Sequence, residues 1–227
     1  MSDRPQSPAE RASDQVLRWP TRRSKEWTDA FLSSVRTDPN ILAVVAIGSA
    51  VRPHFPSADV DLIAICGDTH VVKEATPMEV DLRLYCAVDV DSHLKGGHDI
   101  LGWAVKSGRV LFQRDRFWDR VVESWRHRLR LPSSKLARER AASAYRRLIN
   151  LVELGDADAA HEQALSYLTH LARAELLDRG VHPNSRPELA EQLRGIGNFR
   201  VAEWLDRLLQ DQPTELSEIH RLLSVAV

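Results

Sequence analysis

The chain has 227 residues, enough for one large or two small domains and for a substantial buried core. Its composition, 43% hydrophobic and 28% charged, is that of an ordinary globular protein, and 31 basic against 32 acidic side chains leave a net charge of -1 that gives no reason to expect nucleic acid as a partner. No apolar run approaches the roughly 18 residues of a membrane span, no signal-peptide core opens the chain, and Cys66 and Cys86 fit no metal spacing, so free buried thiols, a cytoplasmic location and no membrane partner are expected.

Residues 1–14 are polar, carry two prolines and are expected to form a mobile tail. Residues 15–20 read as a short edge strand, since Pro20 cannot donate to a ladder. Residues 24–36 place Trp27, Ala30, Phe31, Leu32 and Val35 close to helical spacing, with Asp38-Pro39-Asn40 as the stop. Strand 41–47 follows and runs into Gly48-Ser49. After a polar loop come strand 60–66, a turn at 67–70, a connector over 71–77 and strand 79–86. Residues 88–97 read as a loop or the start of a short helix, 98–107 as a helix and 110–112 as a last short strand, closing a first domain near Arg114.

From residue 117 the periodicity changes to that of long amphipathic helices: 117–131, 134–154 after a break at Pro132, 159–179 capped by Gly180, 186–196, 200–209 and a tail over 215–225. No strand candidate occurs there. The expected fold is α+β: a small mixed sheet with flanking helices over 15–114, followed by an all-α helical bundle over 115–227.

The chemistry concentrates in the first half. Strand side chains at i and i+2 share a face, so Asp59 and Asp61 project together while Val60 points away. Two carboxylates that close repel and raise each other's pKa, a problem that a hard divalent cation such as Mg²⁺ removes. Gly48 permits a positive φ or a close backbone approach, and Ser49 adds a hydroxyl for a phosphate oxygen. Each piece alone is common in turns and solvated strand ends. The combination gains weight from Asp81 in Glu79-Val80-Asp81-Leu82-Arg83-Leu84-Tyr85, where it lies on the polar side of an alternating strand.

Gly48-Ser49, Asp59-Val60-Asp61 and the later Asp81 resemble the DNA polymerase β-type nucleotidyltransferase superfamily. Within it the chain is similar to kanamycin nucleotidyltransferase-like enzymes and to minimal nucleotidyltransferases joined to a helical domain of the HEPN type. The resemblance covers residues 16–114 and, more weakly, the helical remainder. It implies Asp59, Asp61 and Asp81 as catalytic metal ligands for two Mg²⁺ ions, and Gly48, Ser49 and Arg52 as nucleotide-binding residues. It further implies ATP or another nucleoside triphosphate as donor, and transfer of a nucleoside monophosphate, AMP for an ATP donor, to a hydroxyl of a small-molecule acceptor such as an antibiotic. A protein acceptor, or a regulatory, antitoxin-like role in nucleotide binding, is the alternative, and a homodimer stays open. The family's loop commonly reads Gly-Ser-x-Ala-Arg-Gly, whereas here Arg52 is followed by Pro53, which puts the donor pose in question.

Other candidates are less specific. Arg52 and Arg83 have the planar fork to clamp a triphosphate, and Lys106 and Arg109 flank the last helix of the first domain. The segment 114–147 holds eleven Lys/Arg against four Asp/Glu, but its charges alternate with apolar positions as on a solvated helix face. Arg120 and His127 match the Arg-x(4–6)-His spacing of helical RNase domains, a match that arises easily in an arginine-rich chain. His161, Glu162, His170 and Glu175 lie on the 159–179 helix, where a general base or an acceptor-binding group would sit.

Overall fold

The structure, a computed structural model, describes residues 16, 18–52, 57–68, 75–210 and 215–225. The expected tail over 1–14 and parts of the turn at 67–70 and of the connector at 71–77 lie outside the described residues. The chain divides into two compact units, Met1–Arg130 and Leu131–Val227.

The first unit consists of α1 (Arg22–Thr37), β1 (Ile41–Ile47), a 3-10 turn (Ser49–Val51), β2 (Val60–Cys66), β3 (Val80–Cys86), α2 (Ala87–Lys95), α3 (Asp99–Ser107), β4 (Arg109–Gln113) and α4 (Phe117–Trp125). The four strands form one mixed sheet in the order β3-β2-β1-β4. β1 runs antiparallel to β2 and to β4, while β2 and β3 run parallel. β1 and β2 are buried nearly end to end, as their continuous apolar runs require of strands covered on both faces. Val44, Ala46, Leu62 and Ala64 pack on one face with Phe31, Leu32 and Val35 of α1. Val45, Ile47, Ile63 and Ile65 pack on the other with Val90 and Leu94 of α2, Leu101, Ala104 and Val105 of α3, and Trp118 of α4.

Local signals account for the element ends. Thr21 caps α1: its Oγ1 accepts the Ser24 N–H at 3.1 Å, and Ser24 Oγ accepts the Thr21 N–H at 3.3 Å. The C-terminal end of α1 is closed from far along the chain. Arg114, just after β4, donates through Nη2 to the carbonyls of Val35, Arg36 and Asp38 at 3.1, 2.9 and 2.8 Å and through Nε to that of Ile41 at 3.0 Å. A cation among the last carbonyls of a helix also complements the helix dipole.

Residues 15 and 17 of the expected edge strand lie outside the described residues; among the described ones, 16 and 18–20 are not strand, and the Arg18 N–H bonds the Ala50 carbonyl at 3.2 Å. Residues 88–97, expected as a loop or the start of a short helix, are mostly helix, within α2. The first compact unit runs on past residue 114 to Arg130. α4 has the amphipathic pattern of the helices that follow, but its Trp118 is 1% exposed and belongs to the core beneath the sheet.

The second unit contains α5 (Ser134–Leu154), α6 (Ala157–Asp178), a 3-10 turn (Arg186–Glu188), α7 (Leu189–Gly195), α8 (Phe199–Leu209) and α9 (Leu216–Val225), with no strand among its described residues. Ser133 caps α5 by accepting the Leu136 N–H at 3.2 Å. Gly155 ends α5 at φ 76°, a left-handed conformation that glycine adopts without penalty, and Asp156 caps α6 by accepting the Ala159 N–H at 3.0 Å. Small residues at Ala141, Ala144, Ala160, Ala164 and Ala172 let α5 and α6 pack closely, and Leu148, Leu168, Leu176, Leu193 and Leu205 fill the core around them. The helix expected over 186–196 is split, with the 3-10 turn leading into α7. No helix of the described residues is long and apolar enough to cross a membrane.

Candidate functional site

Backbone register assembles the acidic residues. In the antiparallel pair Asp61 stands opposite Ile47, the residue before Gly48, and in the parallel pair it stands beside Asp81. Register partners share a face, so Asp61 and Asp81 belong to the face covered farther along by α2, α3 and α4, and Asp59, just ahead of β2, lies close enough for its charge to act on Asp61. They occupy one end of the sheet, where β1 leaves and β2 and β3 begin.

Gly48 is shaped to this neighbour. Its φ is 79°, in the left-handed region, and a Cβ built there would run into Oδ2 of Asp61. The missing side chain lets the backbone of the Gly-Ser turn lie directly against a carboxylate.

The two paired aspartates differ electrostatically. Asp61 is half-buried, and its carboxyl is pushed up to about 6, first by burial, then by the negative charges of Asp59 and Asp81, with Arg83 acting in the opposite direction. Asp81 is held by Arg83, whose Nε donates to Oδ2 at 2.9 Å and whose Nη2 donates to the same oxygen. One carboxylate thus carries uncompensated charge while its partner is already paired.

Ser49 and the far side of the loop are joined by hydroxyls. Ser57 Oγ donates to the Asp59 carbonyl at 2.5 Å, which uses its single proton, so in the 3.0 Å contact between Ser49 Oγ and Ser57 Oγ the proton belongs to Ser49. Ser57 was not a sequence candidate, although a serine just ahead of Asp-x-Asp is a usable signal for loop closure. Arg52 ends the 3-10 turn through its backbone N–H, bonded to the Ser49 carbonyl at 3.0 Å. Pro53, the departure from the family loop, lies outside the described residues.

For a hard divalent cation the donor chemistry fits: the candidate ligands are all oxygens, and the ionisation of Asp61 is opposed first by burial and then by the charges of Asp59 and Asp81. The ligands are not gathered, however. Among the described residues no three His, Cys, Asp or Glu side chains form a group able to hold a metal ion, and Asp81 is turned to Arg83 instead.

The remaining candidates separate. Arg109 pairs with Ala46, whose side chain packs on the α1 side, so it stands on the opposite face from Asp61. Lys106 sits exposed in the last turn of α3. Arg120 lies on α4 and bonds the Asp115 carbonyl, and His127 falls beyond the end of that helix. Both belong to the sheet-bearing unit. Glu175 on α6 accepts from the Asn198 amide and, with Asp178, Arg179, Phe199 and Arg200, lines a cavity within the second unit. Cys66 and Cys86 are register partners and free; Cys66 is buried, which pushes its thiol up to about 11, whereas Cys86 is only half-buried.

No protein-family profile matches the chain, and no curated protein matches it. Among solved structures, the crystal structure of a nucleotidyltransferase-like protein from Exiguobacterium sibiricum is similar to it. The two are 21% identical, the match covers 87% of this chain and 71% of that one, and the TM-score is 0.44.

Proposed function

We propose that this chain is a divalent-cation-dependent nucleotidyltransferase that moves a nucleoside monophosphate, AMP for an ATP donor, onto a hydroxyl of a small-molecule acceptor. The observation that carries this reading is the register pairing of Asp61 with Asp81, with Gly48 pressed against Asp61. In the proposal Asp59 and Asp61 hold Mg²⁺, and Asp81 joins them once it leaves Arg83. Bound there, Mg²⁺ would offset charge on the phosphate oxygens and on the departing pyrophosphate. Backbone groups of the Gly48-Ser49 turn and the Ser49 hydroxyl would orient the phosphates, with Arg52 beside them. The acceptor oxygen forms a bond to the α-phosphorus as the bond to the bridging oxygen of pyrophosphate breaks, and the acceptor proton passes to Asp81.

The test is mass spectrometry of ATP with a panel of hydroxyl-bearing acceptors, aminoglycosides and lincosamides among them. A product heavier by one nucleoside monophosphate is expected. The Asp59→Asn, Asp61→Asn double variant is expected to lose that product by more than about 10³-fold, since the chemistry rests on charge stabilisation at those carboxylates. Transfer that survives in the double variant would exclude the proposed site.

A second reading, a regulatory or antitoxin-like nucleotide binder acting on a protein partner, is favoured by one observation: Asp81 is already neutralised by Arg83. The two readings part on pyrophosphate release, which a pure binder does not produce.

A further inference from the structure

We infer that Arg83 is the chain's own counter-cation for Asp81, and that it must be exchanged for a triphosphate before Asp81 can join a metal; the site is therefore loaded by a cation–triphosphate complex in preference to the free cation. This rests on the nucleotidyl-transfer reading above.

Asp81 and Arg83 are two residues apart on β3 and so project from the same face. Two guanidinium nitrogens converge on the single oxygen Oδ2, occupying the side chain that would complete a ligand set with Asp59 and Asp61. β3 is an edge strand, and both side chains of the pair are 42% exposed, so the guanidinium can swing away without opening the core. The pair also acts on its neighbour, because the Arg83 charge works against the upward push on the Asp61 carboxyl.

A free cation approaching this site meets a positive guanidinium already paired with the carboxylate it would need. A triphosphate changes the exchange, because its oxygens accept the same planar fork that now holds the carboxylate. Arg83 would then stabilise the loaded state while blocking the site in the absence of nucleotide.

The test is a titration of the full chain with Mn²⁺, followed by electron paramagnetic resonance, with and without a non-hydrolysable ATP analogue. Without nucleotide, Arg83→Gln is expected to bind Mn²⁺ about fivefold more tightly than the wild type, the upper range for a solvent-exposed ion pair. Arg83→Lys keeps the charge but loses the fork; it is expected to shift in the same direction, which a pure net-charge effect would not produce. In an Asp81→Asn background Arg83→Gln is expected to add clearly less than in the wild-type background, the mark of a direct pair beyond the charge that Arg83 also exerts on Asp61. With the analogue present the order should reverse, the wild type binding more tightly than Arg83→Gln. Failure of both Arg83 variants to gain affinity, a gain undiminished in Asp81→Asn, or the absence of the reversal would each overturn the inference. Mn²⁺ binding that is lost in Asp61→Asn yet indifferent to Arg83 leaves the nucleotidyl-transfer reading standing and removes only the role of Arg83. No saturable Mn²⁺ binding in any variant, with or without the analogue, overturns both.

Discussion

β2 and β3 run side by side, parallel and in register from Val60 beside Val80 to Cys66 beside Cys86, and each carries an aspartate at its second position. β2 is a central strand covered on both faces, whereas β3 is an edge strand with Arg83 and Leu84 exposed. The same carboxylate therefore meets two environments about 4.8 Å apart, the ordinary spacing of neighbouring strands. On the covered strand it is strained by burial and by its neighbours' charge; on the open strand it finds an arginine and is neutralised. A site that binds and releases a charged ligand gains from such an unequal pair: one group supplies the electrostatic demand, and the other can be switched in.

The strongest way to break the contrast is to loosen the core on the covered face of the sheet. Trp118 is buried in the same core as Ile63 and Ile65, so Trp118→Ala is expected to lower stability by about 3–5 kcal/mol in urea unfolding, the usual result of emptying a large aromatic site in a core.

A smaller effect tests the contact between Gly48 and Asp61. Gly48→Ala places a methyl group against Oδ2 at a positive φ, and a loss of about 1–3 kcal/mol is expected, together with abolished nucleotide transfer. Restored stability in the Gly48→Ala, Asp61→Ala pair, measured by thermal unfolding, would confirm that the clash is with that carboxylate. A full penalty in the pair would place the strain in the backbone alone.

The smallest effect concerns pH. The Asp61 carboxyl is raised from 3.8 to about 6, so between these values the folded chain holds a proton that the unfolded chain has lost. Stability from this group is therefore greatest below pH 4 and falls as pH rises through about 6. Asp61→Asn, which is never charged, is expected to be more stable than the wild type at pH 8 by about 1–2 kcal/mol after allowance for partial exposure, with the difference closing toward pH 4. Melting curves at both pH values check this, and saturating Mn²⁺ should shrink the gap in the wild type.

Much of this comparison was legible in the residues. The uninterrupted runs 41–47 and 60–66 announce strands buried on both faces, and the alternation over 80–85 announces a strand with one wet side. Their pairing was not legible, because the register of parallel strands depends on the long connection between them rather than on any pattern within them. Nor was the placement of α4, whose amphipathic spacing is shared by the helices of the other unit; only the position of Trp118 under the sheet assigns it. The bond between Arg83 and Asp81 follows from i, i+2 strand geometry, yet sequence alone does not say whether an arginine beside an aspartate turns to it or to water.

Arg114 has a bearing on the order in which the chain can assemble. The carbonyls it gathers, at the end of α1 and the start of β1, are 73 to 79 residues earlier, and it directly follows β4, the outer neighbour of β1. During synthesis, then, the first helix stays open at its end and the central strand stays open on one flank until the same short segment emerges and closes both. Contacts of such long sequence separation slow folding, so the end of the sheet that carries the acidic face rests on a scaffold that can close only once residue 114 is available.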